Sequence, residues 1–242
     1  MHRILILILI ISLSASCKTY FHLANTSTQS LNVTQDQTDQ EVSRLVAPYK
    51  NNLDAQMNEV IAVALETMVK ARPESTLTNW VADAIQSQSI KAFNRDIDFS
   101  YQNFGGIRIP ELPKGNISLG KIFELMPFDN IVVLVTIEGN DLIRFMQYIA
   151  DAGGSPVSSN VQMSIQAGKI SRCLINGKPI NTHQMYTIAL PDYIANGGDN
   201  ADFFKGKAQI TKNVLIRDLL IRSAKESKIV KPVLDQRISI IQ

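Results

Sequence analysis

Residues Ile131 to Ile137 read IVVLVTI, a run that is apolar at every position but Thr136 and mostly β-branched. In an extended chain successive side chains point to opposite faces, so this run presents apolar groups both ways and is stable only as a strand covered on both sides. That requirement already demands layers packed above and below a sheet. The chain can supply them: 242 residues, 45% of them hydrophobic, can bury roughly 70% of the unfolded surface. With 24 Lys+Arg against 22 Asp+Glu, the net charge of +2 excludes a mainly disordered chain and gives no basic excess for nucleic acid.

Around this strand the chain alternates helices and strands. After Pro73, Leu77, Trp80, Val81, Ala84 and Ile85 recur at helical spacing behind a Ser75 or Thr76 cap. Ile97, Phe99 and Tyr101 alternate as a strand and lead into Asn103-Phe104-Gly105-Gly106-Ile107-Arg108, where the glycine pair demands a turn. A short helix from about Ser118 must end before Pro127. Asn140 reads as the cap of a helix carrying Leu142, Ile143, Phe145, Met146 and Ile149, ended by Gly153-Gly154. Val161, Met163 and Ile165 alternate, and Ala167-Gly168 and Asn176-Gly177 mark hairpin turns. A last helix over about Lys212 to Lys225 and a strand near Arg237 to Ile241 close the chain, while Gln56 to Val69 fits a helix or the start of a strand. The expected fold is mixed α/β, with several antiparallel pairings and no internal repeat.

The amino terminus reads as an export signal: Met1, His2 and Arg3, an apolar run from Ile4 to Ile11, then small residues. The run is too short to span a bilayer as a helix. Ser14-Ala15-Ser16-Cys17 is similar to the lipobox of bacterial lipoproteins, which makes Cys17 the expected lipidation site and residues 1–16 a cleaved signal; an ordinary signal with an incidental cysteine is the alternative. Residues 17–40, rich in Thr, Ser, Gln and Asn, read as a polar tether, leaving 41–242 as the folded domain. The expected location is the bacterial cell envelope, lipid-anchored on its periplasmic or surface side.

Catalytic chemistry is hard to find in the body. A two-metal hydrolase needs several His and carboxylate ligands converging on ions about 3.5–4 Å apart. His2 and His22 precede the domain, and His183 stands alone between Thr182 and Gln184, where it reads as structural. Asp199 and Asp202 form the one tight acidic pair in a loop, without the ligand ladder of a calcium site. Cys173 reads as a buried inert thiol, and neither a G-x-S-x-G elbow nor a P-loop occurs.

Three loops carry recognition chemistry instead: NFGGIR, LMPFDN and LPDYIANGGD. They supply a guanidinium (Arg108), two aromatic planes (Phe128, Tyr193), an amide (Asn103) and a carboxylate (Asp199). That set suits a nucleotide, with aromatics for the base, a carboxylate for vicinal hydroxyls and arginine for phosphate. The same residues also fit a plainer reading in which Phe128 is core, Asp199 caps a helix and the glycines only make turns.

In order and spacing, ESTLTNWVADA from Glu74, NFGGIR from Asn103, LMPFDN from Leu125 and ANGGDN from Ala195 resemble the carboxy-terminal domain of the bacterial and animal 5′-nucleotidases, the family that includes UDP-sugar hydrolase. Its patterns are E-x-x-x-x-N/R-x-x-A-D-A, N-G-G-G-I-R, L-x-P-F-x-N and A-N-G-G-D-G. The resemblance implies an α+β fold of layered sheets with helices on the outside, and a domain that binds the nucleotide and delivers its phosphate to a two-metal centre on a separate metallophosphatase domain. Carried over, Arg108 contacts phosphate or ribose, Asn103 bonds the base, Phe128 and Tyr193 sandwich it, and Asp199 accepts the ribose hydroxyls, with Gly105, Gly106, Gly197 and Gly198 shaping the loops. Departures are Phe104 for a glycine, Tyr193 for the usual Phe, and Asn200 after GGD. Arg72 lies about one position from the family's upstream arginine. The metallophosphatase motifs have no counterpart, so divalent metals are expected only in a partner.

The leading expectation is therefore an exported, nucleotide-binding lipoprotein half of a split 5′-nucleotidase, paired with a separately encoded metallophosphatase. The alternatives are a nucleotide- or nucleoside-capturing lipoprotein without an enzymatic role, and a structural remnant of the family.

Overall fold

The computed structural model describes residues 26–30, 39–231 and 233–241. The expected signal, Cys17 and most of the expected tether lie outside the described residues. Contacts divide the chain into Met1–Val46 and Ala47–Gln242. Thr26–Ser30 is exposed and has no regular structure. Across the division runs a helix that the sequence reading does not contain, Gln40–Met57. Asp39 Oδ1 accepts from Glu41 N at 2.8 Å at its start, and it buries no side chain.

The second unit holds the strands β1 (Val60–Ala64), β2 (Met68–Val69), β3 (Phe99–Ser100), β4 (Glu111–Leu112), β5 (Gly115–Ser118), β6 (Ile131–Glu138) and β7 (Val161–Gln166). These continue with β8 (Lys169–Ile175), β9 (Lys178–Pro179), β10 (Met185–Pro191), β11 (Gln209–Leu215), β12 (Ile229–Val230) and β13 (Ile238–Ile241). They form a central sheet ordered β11-β6-β10-β3, two further sheets ordered β12-β1-β5 and β13-β7-β8-β9, and a small β2-β4 pair.

The IVVLVTI run is the strand that organises the molecule. β6 pairs antiparallel with β10 on one side and β11 on the other, and Val132 to Val135 are buried in succession. Its side chains alternate between two cores. Val132 and Leu134 face a core built with the helices Thr76–Phe93 and Ile216–Ser227 and with the β12-β1-β5 sheet. Val133, Val135 and Ile137 face a second core built with the helix Gly139–Asp151 and strand β7. Each fully buried Val or Leu contributes about 1.5–3 kcal/mol, so a single strand serves both halves of the fold.

Most local signals operate as read. Ser75 caps the Thr76–Phe93 helix, accepting from Thr78 N while Thr78 Oγ1 accepts from Ser75 N, a reciprocal capping box. Ala167-Gly168 and Asn176-Gly177 adopt positive φ at both residues, the conformation of tight hairpin turns. Helix Leu119–Leu125 starts after Ser118 and stops before Pro127. The ambiguous stretch Gln56 to Val69 divides into the end of one helix at Met57 and strands β1 and β2.

Two boundaries differ from the sequence reading. Glu138, not Asn140, precedes the Gly139–Asp151 helix, because strand β6 runs directly into it. Gly139 N donates to Gln184 O there, and a Cβ on Gly139 would collide with the Asn181 carbonyl. The last helix is Ile216–Ser227, and Lys212–Leu215 belongs to β11, which rejoins β6 at Leu215 after a bulge that holds Asn213 at φ 53°. Among the described residues no helix is long and apolar enough to cross a membrane.

Candidate functional site

Strand order explains why the three loops meet. β10 is parallel to β3 and antiparallel to β6, so the carboxyl ends of β3 and β10 and the amino end of β6 share one edge of the central sheet. From that edge emerge Asn103–Arg108, Pro127–Asn130 and Tyr193–Asp199. They enclose a cavity of about 270 Å³ lined by Asn103, Gly105, Gly106, Arg108, Phe128, Asn130, Tyr193 and Asp199.

One end of the cavity is tied together by hydrogen bonds. Asp199 sits at φ 51°. Its Oδ2 accepts from Asn103 Nδ2 at 3.0 Å and its Oδ1 from the Tyr193 hydroxyl at 2.9 Å, while its own N–H donates back to that hydroxyl at 3.2 Å. The Tyr148 hydroxyl donates to Asp199 O at 3.0 Å. Burial raises the pKa of the Tyr148 phenol and, more strongly, of Tyr101 beside it, so both remain donors at neutral pH. The glycines permit close approach: a Cβ on Gly198 would fall 2.5 Å from the Tyr193 ring, and one on Gly106 would overlap the Gln102 amide. Gly197 and Gly198 stand behind the cavity and do not line it.

The aromatic walls are exposed. Phe128, in a loop, is 44% and Tyr193, in the short helix Asp192–Ala195, 46% accessible, and neither contributes to either core. The plainer reading of Phe128 as core therefore does not hold. Arg217 fixes the Phe128 loop from beneath: its guanidinium donates to Pro127 O at 3.2 Å and to Asp129 Oδ1 at 2.8 Å, and it lies 4.2 Å from the Phe123 ring centroid. Asn130 Nδ2 donates to Asp192 Oδ1 at 3.0 Å, an oxygen that also accepts from Tyr193 N, and so links the second and third loops. Neither Arg217 nor Asn130 has a role in the sequence reading. Asn130 is the last residue of the quoted LMPFDN motif, so its signal was present; Arg217 lies 88 residues from Asp129 and gave none.

The other end of the site is cationic. Arg108 lines the cavity, donates to Gly105 O at 3.2 Å and lies 5.4 Å from the Phe128 centroid. Arg72 does not line the cavity; its partly buried guanidinium sits 4.2 Å from the Phe104 centroid, within electrostatic reach of Tyr101 and Tyr148. Lys70 joins it, donating to Ile107 O at 2.6 Å, and its pKa is lowered by burial and then by the neighbouring Arg108 and Arg72. Phe104 does not line the cavity, so the residue in place of a glycine leaves the pocket open.

Among the described residues no group of three or more His, Cys, Asp and Glu side chains converges to hold an ion. His183 is exposed, Asp202 pairs with Lys205 at 2.6 Å, and burial pushes the Cys173 thiol up to about 12, leaving it protonated and unreactive.

Comparison with known proteins places these loops in a shared framework. Protein UshA of Escherichia coli is 27% identical over 168 residues, covering 66% of this chain and 30% of that protein. Cell wall protein Lmo0130 of Listeria monocytogenes is 26% identical over 196 residues, covering 71% of this chain and 25% of that protein. The chain thus spans less than a third of the length of either. The fold matches the crystal structure of a 5′-nucleotidase precursor from Thermus thermophilus with a TM-score of 0.70 at 23% identity, over 84% of this chain and 43% of that one. A putative 5′-nucleotidase from Staphylococcus aureus gives 0.68 at 16% identity, over 88% and 46%. The family model of the 5′-nucleotidase C-terminal domain matches residues 56–206, the span that contains every residue of the cavity, and the chain belongs to that family.

Proposed function

We propose that the protein binds a nucleotide in this cavity and presents its phosphate to a metallophosphatase on a separately encoded partner, which hydrolyses the phosphomonoester. The observation that carries the reading is the pair of exposed aromatic side chains, Phe128 and Tyr193, on the wall of a cavity that also holds a carboxylate and an amide. An aromatic platform stacked on a base is worth about 1–3 kcal/mol. Phe128 and Tyr193 would take the base faces, Asn103 its polar edge and Asp199 the ribose hydroxyls. Arg108 would hold the phosphate, with Arg72 beside the same turn, and Gly105, Gly106, Gly197 and Gly198 let the loops close in. The divalent metals of the reaction would be the partner's contribution, and this chain's contribution is position: a phosphate held in reach of its nucleophile can lower a barrier by several kcal/mol.

Export through the amino-terminal signal and lipid attachment at Cys17 complete the proposal, supported by a relative named as a cell wall protein. A second reading, capture of nucleotides or nucleosides without any enzymatic partner, draws on the same cavity, whose Asp199, Asn103 and Tyr193 groups all belong to this chain. Crystallisation with AMP tests what the two readings share. The base should lie between Phe128 and Tyr193 with the ribose hydroxyls on Asp199. AMP bound elsewhere, or an empty cavity at saturating AMP, overturns both, whereas phosphate release on adding the partner separates the first from the second.

A further inference from the structure

Phe104 stands where the family pattern N-G-G-G-I-R has a glycine, yet it is not in the left-handed region and meets no backbone strain. It belongs to neither core and does not line the cavity. What its ring does is gather cations: Lys70 Nζ and the Arg72 guanidinium each lie 4.2 Å from its centroid. Lys70 is further fixed by donating to Ile107 O, within the same loop as Arg108. Among the described residues none of these three cations pairs with a carboxylate. The charges are close enough to feel one another, since Arg108 and Arg72 both disfavour the charged form of Lys70. Three cations held together with only a ring face and backbone carbonyls to offset them call for an anion of more than one negative charge, which a phosphate monoester is.

We propose that Phe104 is a positioning residue, whose ring holds Lys70 and Arg72 beside Arg108 so that the three form a clamp for the phosphate end of the ligand. The inference deepens the nucleotide reading and rests on it. Phe104 touches the cations rather than the ligand, and an aliphatic side chain of similar size would keep the packing of the turn while losing the attraction of the π face for cations.

The test is calorimetric titration of the full chain and its Phe104→Leu and Phe104→Trp variants with adenosine and AMP, with thermal melting to confirm folding. The wild type should bind AMP more tightly than adenosine. Phe104→Leu should lower AMP affinity by about 3- to 10-fold and shift adenosine affinity by less than about 2-fold, and Phe104→Trp should restore AMP binding. Unchanged AMP affinity in Phe104→Leu, or an equal loss for both ligands, overturns the inference while leaving the nucleotide reading intact. A wild type that binds neither ligand overturns the nucleotide reading, and this inference with it.

Discussion

The two ends of the cavity are built on opposite principles. At the proposed nucleoside end Asp199 and Tyr193 are paired within the protein: both Asp199 carboxylate oxygens accept hydrogen bonds, and the Tyr193 hydroxyl donates to one while accepting from the Asp199 N–H. At the phosphate end Lys70, Arg72 and Arg108 have ring faces and backbone carbonyls for partners, and their charges remain uncompensated. The first end is shaped in advance and recognises by geometry. The second stores repulsion that an anion relieves and recognises by charge. On the proposed reading, a site so divided holds the nucleoside by shape and lets the other end respond to charge.

Substitutions separate the two ends, beginning with the largest expected effect. Asp199→Ala removes the acceptor for the ribose and releases Asn103 and Tyr193 together. Adenosine and AMP should both weaken by about 3 kcal/mol, roughly 100-fold, in calorimetric titration. A loss confined to AMP would break the division. Arg108→Ala should cost AMP about 1.5–3 kcal/mol and adenosine much less, because a charge-assisted bond to phosphate is lost; equal losses would place Arg108 at the nucleoside end.

Tyr193→Phe is subtler, since it keeps the stacking ring and deletes only the two hydrogen bonds to Asp199. A loss of about 1 kcal/mol for both ligands is expected, and no loss would mean that Asn103 and Tyr148 suffice to hold the loop. The smallest effect is that of pH. The Lys70 pKa is lowered, by burial first and then by its cationic neighbours, so Lys70 sheds its proton below the usual lysine range as pH rises. Its attraction for phosphate is present at low pH and lost on passing upward through that lowered pKa. The AMP advantage over adenosine should therefore shrink as pH climbs through that lowered pKa, before the usual lysine range is reached. Lys70→Arg, which stays charged, should flatten the trend.

Much of the architecture was legible because its signals are local. The Ser75 cap, the two hairpin turns and the seven-residue apolar strand each announce themselves within a few residues, and the structure contains them all. The loops were legible because their chemistry is concentrated in short motifs, and the parallel pairing of β3 with β10 then brought them to one edge. What escaped depends on distant partners. Helix Gly139–Asp151 begins at a glycine because Asn181 and Gln184 crowd that backbone, and Lys212–Leu215 stays in β11 because the chain rejoins β6 at Leu215 after a bulge. Arg217 supports the Phe128 loop from another helix, and the buried Arg237 ties Asp83, Asp235 and Val157 O together across the second half of the fold. Lys70 is unremarkable in the sequence and Phe104 stands out there only as a departure from the family pattern; they become a unit when β2 brings its carboxyl end to the turn, where Lys70 N donates to Pro110 O.

The central claim, a nucleotide site complete within this chain, is tested most directly by titrating the protein with adenosine and AMP in the absence of metal. Micromolar to millimolar binding of both, with AMP the tighter, is the result expected of a preformed nucleoside end joined to a cationic phosphate end. No heat up to several millimolar of either ligand would contradict the account.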